Sequence, residues 1–410
     1  MTIKKTLTVA ALLAASSANA AGFFIGTTQS GRATALGGAV VGHIDDASAN
    51  WYNPAGLLGV KKLDIQLGDT GILPRLSFTP GQGAPRGVGE TFEQEFTVSP
   101  PPHFYAAYRI SEQFAAGVGV NVPYAARSNW EDDFVGKDIG HISRLAAWHI
   151  NPNIAFAPHE RVRLALGFNL VRGTLEVERD LNFLTSTGNV HLGGDAWGYG
   201  VNAGAQVDIV PKMLSLGVTY RGQVSLSFEG DADFQNVPAS FEQRLQDQLI
   251  GGSVRLPTLV SVGLAYTPME NLTVSGDVNW QRWSDFPELF FDFQNDGFVP
   301  GTLDAPLVKD WEDTFAFRVG GEYGFTKELT GRVGFVFDPT PTPQNTLSPD
   351  LPDADRIAIA LGGGYRLGGL NFDLGYQYVK LLDTDTTYPN LPGTMGGNAH
   401  VLSGTIGYKL

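Results

Sequence analysis

The chain has 410 residues and a formal net charge of −14 at pH 7, which argues against nucleic-acid binding, since that needs a basic face. It contains no cysteine, so disulfide scaffolds, thiol nucleophiles and thiolate metal sites are excluded. Charged residues make up 17%, while 51 glycines, 25 Phe, 13 Tyr and 7 Trp accompany them, a composition that suits a large β structure rather than a disordered chain.

Residues 1–20 read as a secretory signal. Lys4 and Lys5 form the charged start, residues 7–15 a short apolar stretch, and Ala18-Asn19-Ala20 a small-residue cleavage site that leaves Ala21 as the mature N-terminus. No later stretch is apolar enough, over 18 residues, to cross a membrane as a helix. Residues 21–60 are rich in Gly, Ala, Ser and Thr and lack sustained alternation. An ordered segment of that length is too long to be idle, and its composition suits a plug folded inside a lumen better than a polar tail. Residues 61–410 then form the barrel.

Within that region period-two alternation recurs. Val162, Leu164, Leu166, Phe168 and Leu170 oppose Arg163, Ala165, Gly167, Asn169 and Val171. Trp197, Tyr199, Val201, Ala203, Ala205, Val207 and Ile209 oppose a face of Gly, Asn, Gln and Asp, and Leu370 to Tyr378 repeat the pattern. A strand between lipid and a polar lumen has this signature, with aromatic residues near its ends. Short turns, such as Pro211-Lys212 and Gly368-Gly369, alternate with long polar segments such as 80–99, 127–143, 180–195, 229–253 and 338–355. Counting strands between them predicts an all-β fold, a fourteen-stranded antiparallel transmembrane barrel with an N-terminal hatch inside the lumen. Leu402, Ile406, Tyr408 and Leu410 share one face of the final strand, a pattern resembling the signal read by the barrel-assembly machinery.

Several residues are candidates for transport chemistry. Asn121-Val122-Pro123-Tyr124 interrupts a strand, and proline there either loosens the wall or simply ends the strand. Phe241, Leu245 and Leu249, spaced i, i+4, i+8, predict a short amphipathic helix over 241–250, presenting a greasy landing surface or packing the loop. Asn53-Pro54-Ala55 reads as a local structural motif, with Pro54 fixing φ and Asn53 satisfying nearby backbone. Arg144, Arg163, Arg221, Arg318 and Arg332 are expected to face the lumen, where a buried carboxylate would need a cation. The seven histidines show no metal-ligand spacing, and GxSxG and P-loop motifs are missing, so no enzyme and no cofactor is expected.

A set of motifs carries a family resemblance. Ala21-Gly22-Phe23, Ser30-Gly31-Arg32-Ala33, Gly37-Gly38-Ala39, Asp45-Asp46-Ala47 and Asn53-Pro54-Ala55-Gly56 occur in order near the start. Arg255-Leu256-Pro257, Ala265-Tyr266-Thr267-Pro268, Trp283-Ser284, Phe286, Asp338-Pro339-Thr340-Pro341 and Leu351-Pro352-Asp353-Ala354-Asp355-Arg356 follow. Together they resemble the long-chain fatty acid transporter family of the FadL/TodX type. The resemblance implies passive uptake of fatty acids or hydrocarbons across the outer membrane of a Gram-negative bacterium. Cargo would pass from the extracellular loops to a pocket near Ala21, Gly22 and Phe23, then sideways through the wall beside a kinked strand. Expected partners are these hydrophobic molecules, outer-membrane lipids and lipopolysaccharide, with the protein a monomer; the competing reading is a plugged porin for small polar solutes. Where fatty-acid members carry a basic residue before the Asp of Trp311-Glu312-Asp313, this chain has Glu312, which favours neutral cargo unless another cation compensates.

Overall fold

The computed structural model describes residues 23–183, 185–295 and 306–410. The expected signal peptide, together with Ala21 and Gly22, lies outside the described residues.

Alternation predicts strands, and the hydrogen bonds close them into a fourteen-stranded antiparallel barrel. In chain order the strands are β1 (Leu63–Pro80), β2 (Pro102–Arg109), β3 (Phe114–Asn129), β4 (Ile142–His159), β5 (Val162–Phe183) and β6 (Ser186–Val210). Four strands come in two pieces: β7 (Leu214–Arg221, Val224–Gln235), β8 (Gln248–Leu256, Thr258–Met269), β9 (Leu272–Arg282, Glu288–Phe293) and β10 (Leu307–Val308, Thr314–Gly324). The last are β11 (Leu329–Asp338), β12 (Arg356–Leu367), β13 (Leu370–Thr386) and β14 (Gly393–Lys409). Each pairs with its neighbours in sequence, and β14 closes on β1 from Asp64↔Lys409 to Pro80↔Gly393. Closure of β14 on β1 joins the two ends of the sheet, the condition for crossing a bilayer with strands.

The faces alternate as the pattern requires. Leu67, Leu166, Tyr199 and Ile406 are exposed on the outside, while Asn169, Asn202, Gln206 and Gln377 are buried within. Two expectations change here. The segment 180–195 is a tight hairpin prolonging β5 and β6 rather than a loop, paired residue by residue as far as Phe183↔Ser186. Residues 241–250 are not a helix: turns at 239–244 lead into β8, which begins at Gln248. Of the three apolar residues only Leu249 lies in the strand, paired with Asp231 of β7, while Phe241 and Leu245 precede it.

Residues 23–60 lie inside the barrel. They form two short helices, α1 (Gly31–Ala35) and α2 (Ala49–Tyr52), with 3-10 turns around them. Ser30 caps α1 by accepting the Ala33 N–H, and Asn53 accepts the Ala55 N–H with Pro54 opening the next turn. Bonds to the wall run in every direction. Thr70 of β1 donates to Thr28 O (2.7 Å), Tyr105 of β2 to Gln29 O (2.9 Å), Ser215 of β7 to Gly42 O (2.8 Å) and Gln377 of β13 to Thr34 O (2.7 Å). Asn53 also donates to Val41 O (2.9 Å) and to Ala205 O of β6 (3.1 Å).

Glycine makes this fit possible. A Cβ on Gly217 would stand 2.1 Å from Val41 O, one on Gly334 2.4 Å from Gly37 N, and one on Gly375 2.4 Å from Gly31 O. The inward face of the wall is therefore bare where the segment's backbone presses against it, which accounts for part of the glycine excess.

Candidate functional site

At one height the wall loses its regular ladder. Pro257 splits β8, a 3-10 turn at Trp283–Asp285 splits β9, and residues 309–313 separate the pieces of β10. These breaks turn large side chains inward. Phe23 lies 5.6 Å from Tyr124, 5.6 Å from Trp283, 6.1 Å from Phe286 and 6.4 Å from Trp311, ring centre to ring centre. Trp283 and Trp311 meet edge to face at 5.0 Å, and Phe286 and Trp311 at 4.8 Å. Val254, Leu256, Leu259 and Leu289 complete a buried apolar cluster. The Trp311 indole N–H is buried without a hydrogen-bond partner.

Arg127 lines a small cavity with Phe23, Trp311 and Asp350, and Lys309 binds that carboxylate. Lys309 is buried and bonds Asp350 at 2.8 and 3.1 Å and Ser348 at 3.2 Å. Burial pushes the Asp350 carboxyl up, but Lys309, the Arg179 charge and the Ser348 hydroxyl together more than offset this and hold it below the usual range. The charge of Lys309 is thus already met by the protein. Glu312 is exposed, its N–H donating to Pro341 O (2.8 Å).

Beside the cluster β3 bulges. Its register with β4 slips between Asn121↔His149 and Tyr124↔Ala147, one residue extra on β3. The freed backbone turns to the lumenal segment: Ile25 N–H donates to Pro123 O (2.9 Å), Ala125 N–H to Phe23 O (3.0 Å) and Val122 N–H to Gln29 Oε1 (3.1 Å). Phe24 and Tyr124 face each other as an antiparallel pair.

The wall is thinnest here. β2 covers β1 only from Leu63↔Tyr108 to Asp69↔Pro102, and covers β3 only as far as Phe104↔Val120. Above that height, residues 94–101 run between β1 and β3 with isolated contacts, the Ile72–Ser99 pair (2.8 and 3.0 Å) among them. Pro100 and Pro101 lack the N–H a ladder needs. Ile25, Ile72, Val122, Ala125 and Val401 form an apolar lining behind this stretch.

The sequence candidates scatter accordingly. Phe23 and Tyr124 meet in the cluster, and Val122 and Pro123 form the bulge beside it. Arg318 is buried in the lumen farther along. Arg144 does not face the lumen: it shares the outward phase of Ala146 and Ile150 and bonds Glu176 of β5 at 2.7 Å. Its charge is met on that face by Glu176, and both side chains are partly exposed. Phe241 stacks on Phe183 at 5.0 Å in a surface loop, and Leu249 is exposed on β8, so neither belongs to the pocket. Sequence reasoning missed Trp283, Phe286, Lys309 and Trp311 as site residues. The available signal was the set of strand breaks around Pro257 and Trp283.

A family model described as outer membrane protein transport protein (OMPP1/FadL/TodX) matches residues 11–410. The chain belongs to this family. It is 26% identical to the 47 kDa outer membrane protein of Pasteurella multocida, over 99% of this chain and 98% of that one. It is 24% identical to the long-chain fatty acid transport protein of Escherichia coli K12, over 92% of this chain and 91% of that one. In fold it is similar to a Pseudomonas aeruginosa FadL homologue, with a TM-score of 0.83 at 20% identity, covering 95% of this chain and 100% of the other. The Pseudomonas putida toluene transporter TodX gives a TM-score of 0.71 at 15% identity, covering 93% and 98%. Membership makes this chain an outer-membrane transport protein for hydrophobic compounds.

Proposed function

We propose that the barrel binds neutral hydrophobic molecules in the cluster around Phe23 and releases them sideways through the wall between β1 and β3. The residues 23–60 act as a hatch that shuts the straight path down the lumen. The observation that carries this reading is the adjacency of three features: an aromatic pocket, a bulged strand and a stretch of wall without a ladder. Cargo shed from water gains about 25 cal/mol for each Å² of apolar surface it buries, so it enters the pocket without an energy source. Tyr124 and Val122 belong both to the bulge and to the apolar linings on either side of it, which makes the bulge the hand-over point. The Lys309–Asp350 pair supports neutral over anionic cargo in this pocket, because a carboxylate there would have to displace Asp350.

The test is saturable binding of toluene and of oleate to the purified barrel, each competed by the other. Toluene should bind, and Trp311→Ala should weaken it about tenfold, on the order of 1.4 kcal/mol. Oleate that binds and resists competition by toluene would refute the neutral-cargo reading.

A further inference from the structure

The outward face of β1 carries Ile65, Leu67, Asp69, Gly71 and Leu73 in succession, so one carboxylate interrupts an otherwise apolar row. Asp69 is exposed on that face, and no cation among the described residues pairs with it. Arg75, the next charged residue along the same row, is about 20 Å away in an extended strand. Charged side chains within the membrane belt are costly and mark the routes of ions and substrates.

Its position ties Asp69 to the stretch of wall without a ladder. Asp69↔Pro102 is the last pair that β1 makes with β2, and directly above it residues 94–101 take over with isolated contacts. The flanking outward positions are bare. Across the ladder on β14 stands Gly404, where a Cβ would meet nothing within 4 Å, and next along β1 is Gly71, where the nearest atom would be 3.8 Å away. An open hollow of about 860 Å³ on the outside of the wall, lined by Leu67, Phe372, Leu374 and Ile406, takes in Asp69 and Pro102. Ile72, which lines the space behind the gap with Val122 and Val401, is about 10 Å along the strand from Asp69. A molecule that leaves past Ile72 crosses the field of this carboxylate, and apolar surroundings screen that field weakly.

We propose that Asp69 sets the charge selectivity of the wall opening: its carboxylate holds back anionic amphiphiles and passes neutral and cationic ones. This selectivity rests on the lateral-release reading, and it adds a second selection outside the wall to the one made inside by the Lys309–Asp350 pair. With glycine on two sides, the carboxylate stays open to water at the gap, which keeps it charged. A carboxylate head group brought there meets a like charge with no cation beside it. An ammonium head group meets its complement, and a hydroxyl can donate to either oxygen.

The experiment expresses the full-length protein in cells whose own channel for hydrophobic compounds is deleted, with empty vector as the control. Initial uptake of decylamine, 1-decanol and decanoate is read at pH 7; the three share a chain and differ in head-group charge. In Asp69→Asn, decylamine uptake relative to 1-decanol should fall about threefold, and decanoate relative to 1-decanol should rise by a similar factor. Asp69→Glu, which keeps the charge, should keep both ratios. A ratio does not depend on how much protein folds, so loss of barrel cannot imitate the effect. Movement of either ratio in the stated direction supports the proposal. Two unchanged ratios in Asp69→Asn, or equal changes in Asp69→Glu, overturn it and leave the uptake reading standing. Wild-type uptake of all three probes at the empty-vector level would instead sink the uptake reading, and the selectivity with it.

Discussion

Lys309 and Asp350 are both almost wholly buried, so their pair is held against the cost of desolvating two charges. Removing one partner strands the other in a dry setting, whereas removing both does not. Lys309→Met should therefore destabilise the protein by about 3–5 kcal/mol, and adding Asp350→Asn should return much of that loss. Thermal melts of the two single variants and the double variant check this, and simple additivity would mean that the pair is not coupled. The same residue-level reasoning explains why one arginine resembles another in sequence yet not in role. Arg332 bonds Glu322 (2.5 Å) and Asp373 (2.6 Å), and Arg163 bonds Asp208 (2.9 Å), so these lumenal cations are already neutralised. Arg318 stands apart because Asp277, its partner across the ladder, gives one oxygen to the backbone N–H groups of residues 40–41.

At the scale of an element, the bulge in β3 and residues 23–25 behave as one unit. The hydrogen bonds from Ile25 and Ala125 flank the Phe24–Tyr124 pair, which makes it a close, non-hydrogen-bonded pair with Cα atoms about 4.5 Å apart. That spacing accepts a disulfide. The chain has no cysteine of its own, so Phe24→Cys with Tyr124→Cys forms a clean lock. Uptake should stop when the pair is oxidised and return on reduction; equal uptake in both states would show that this strand need not move. The inward glycines set a second element-scale constraint. Gly375→Val would drive a side chain into Gly31 O and should push the segment off β13, raising single-channel conductance while leaving the barrel folded.

Across the whole molecule, the lumenal segment 23–60, the proposed hatch, is fastened by charge at one end. Arg32 bonds Asp45 (2.6 Å), Asp46 (2.9 Å) and Glu322 (3.3 Å), tying the segment to β10. Burial pushes the Asp46 carboxyl up, but Arg32 and Lys409 hold it well below the usual range. His43 sits in the same cluster with both ring nitrogens unpartnered. Burial, and then the Arg32 charge, lower it to about 4. The released hatch binds a proton on His43 near pH 6.5, and the seated hatch only near 4. Seating is therefore fully favoured above 6.5 and weakens as pH falls through that window. Conductance in planar bilayers should rise between pH 6.5 and 4, and His43→Gln should flatten the rise.

The barrel was legible in the sequence because its cause is local. Lipid on one side and a polar lumen on the other impose alternation on each strand separately, so 162–171 or 370–378 declares its state alone. Asn53-Pro54-Ala55 and Asn121 to Tyr124 were legible for a similar reason, since a proline and its neighbours constrain their own backbone. What alternation leaves open is where a strand leaves the membrane, so Arg144 read as lumenal when its charge lies on the outer face. A spacing of four also predicted a helix over 241–250, where only Leu249 has a ladder partner and Phe241 and Leu245 lie before the strand. The aromatic pocket needed the tertiary structure outright. Phe23, Tyr124, Trp283, Phe286 and Trp311 meet only because closure of the barrel brings distant breaks in several strands to one height. The gap between β1 and β3 and the unpartnered Arg318 are likewise properties of what fails to pair, and pairing across the barrel is decided by the fold rather than by any one segment.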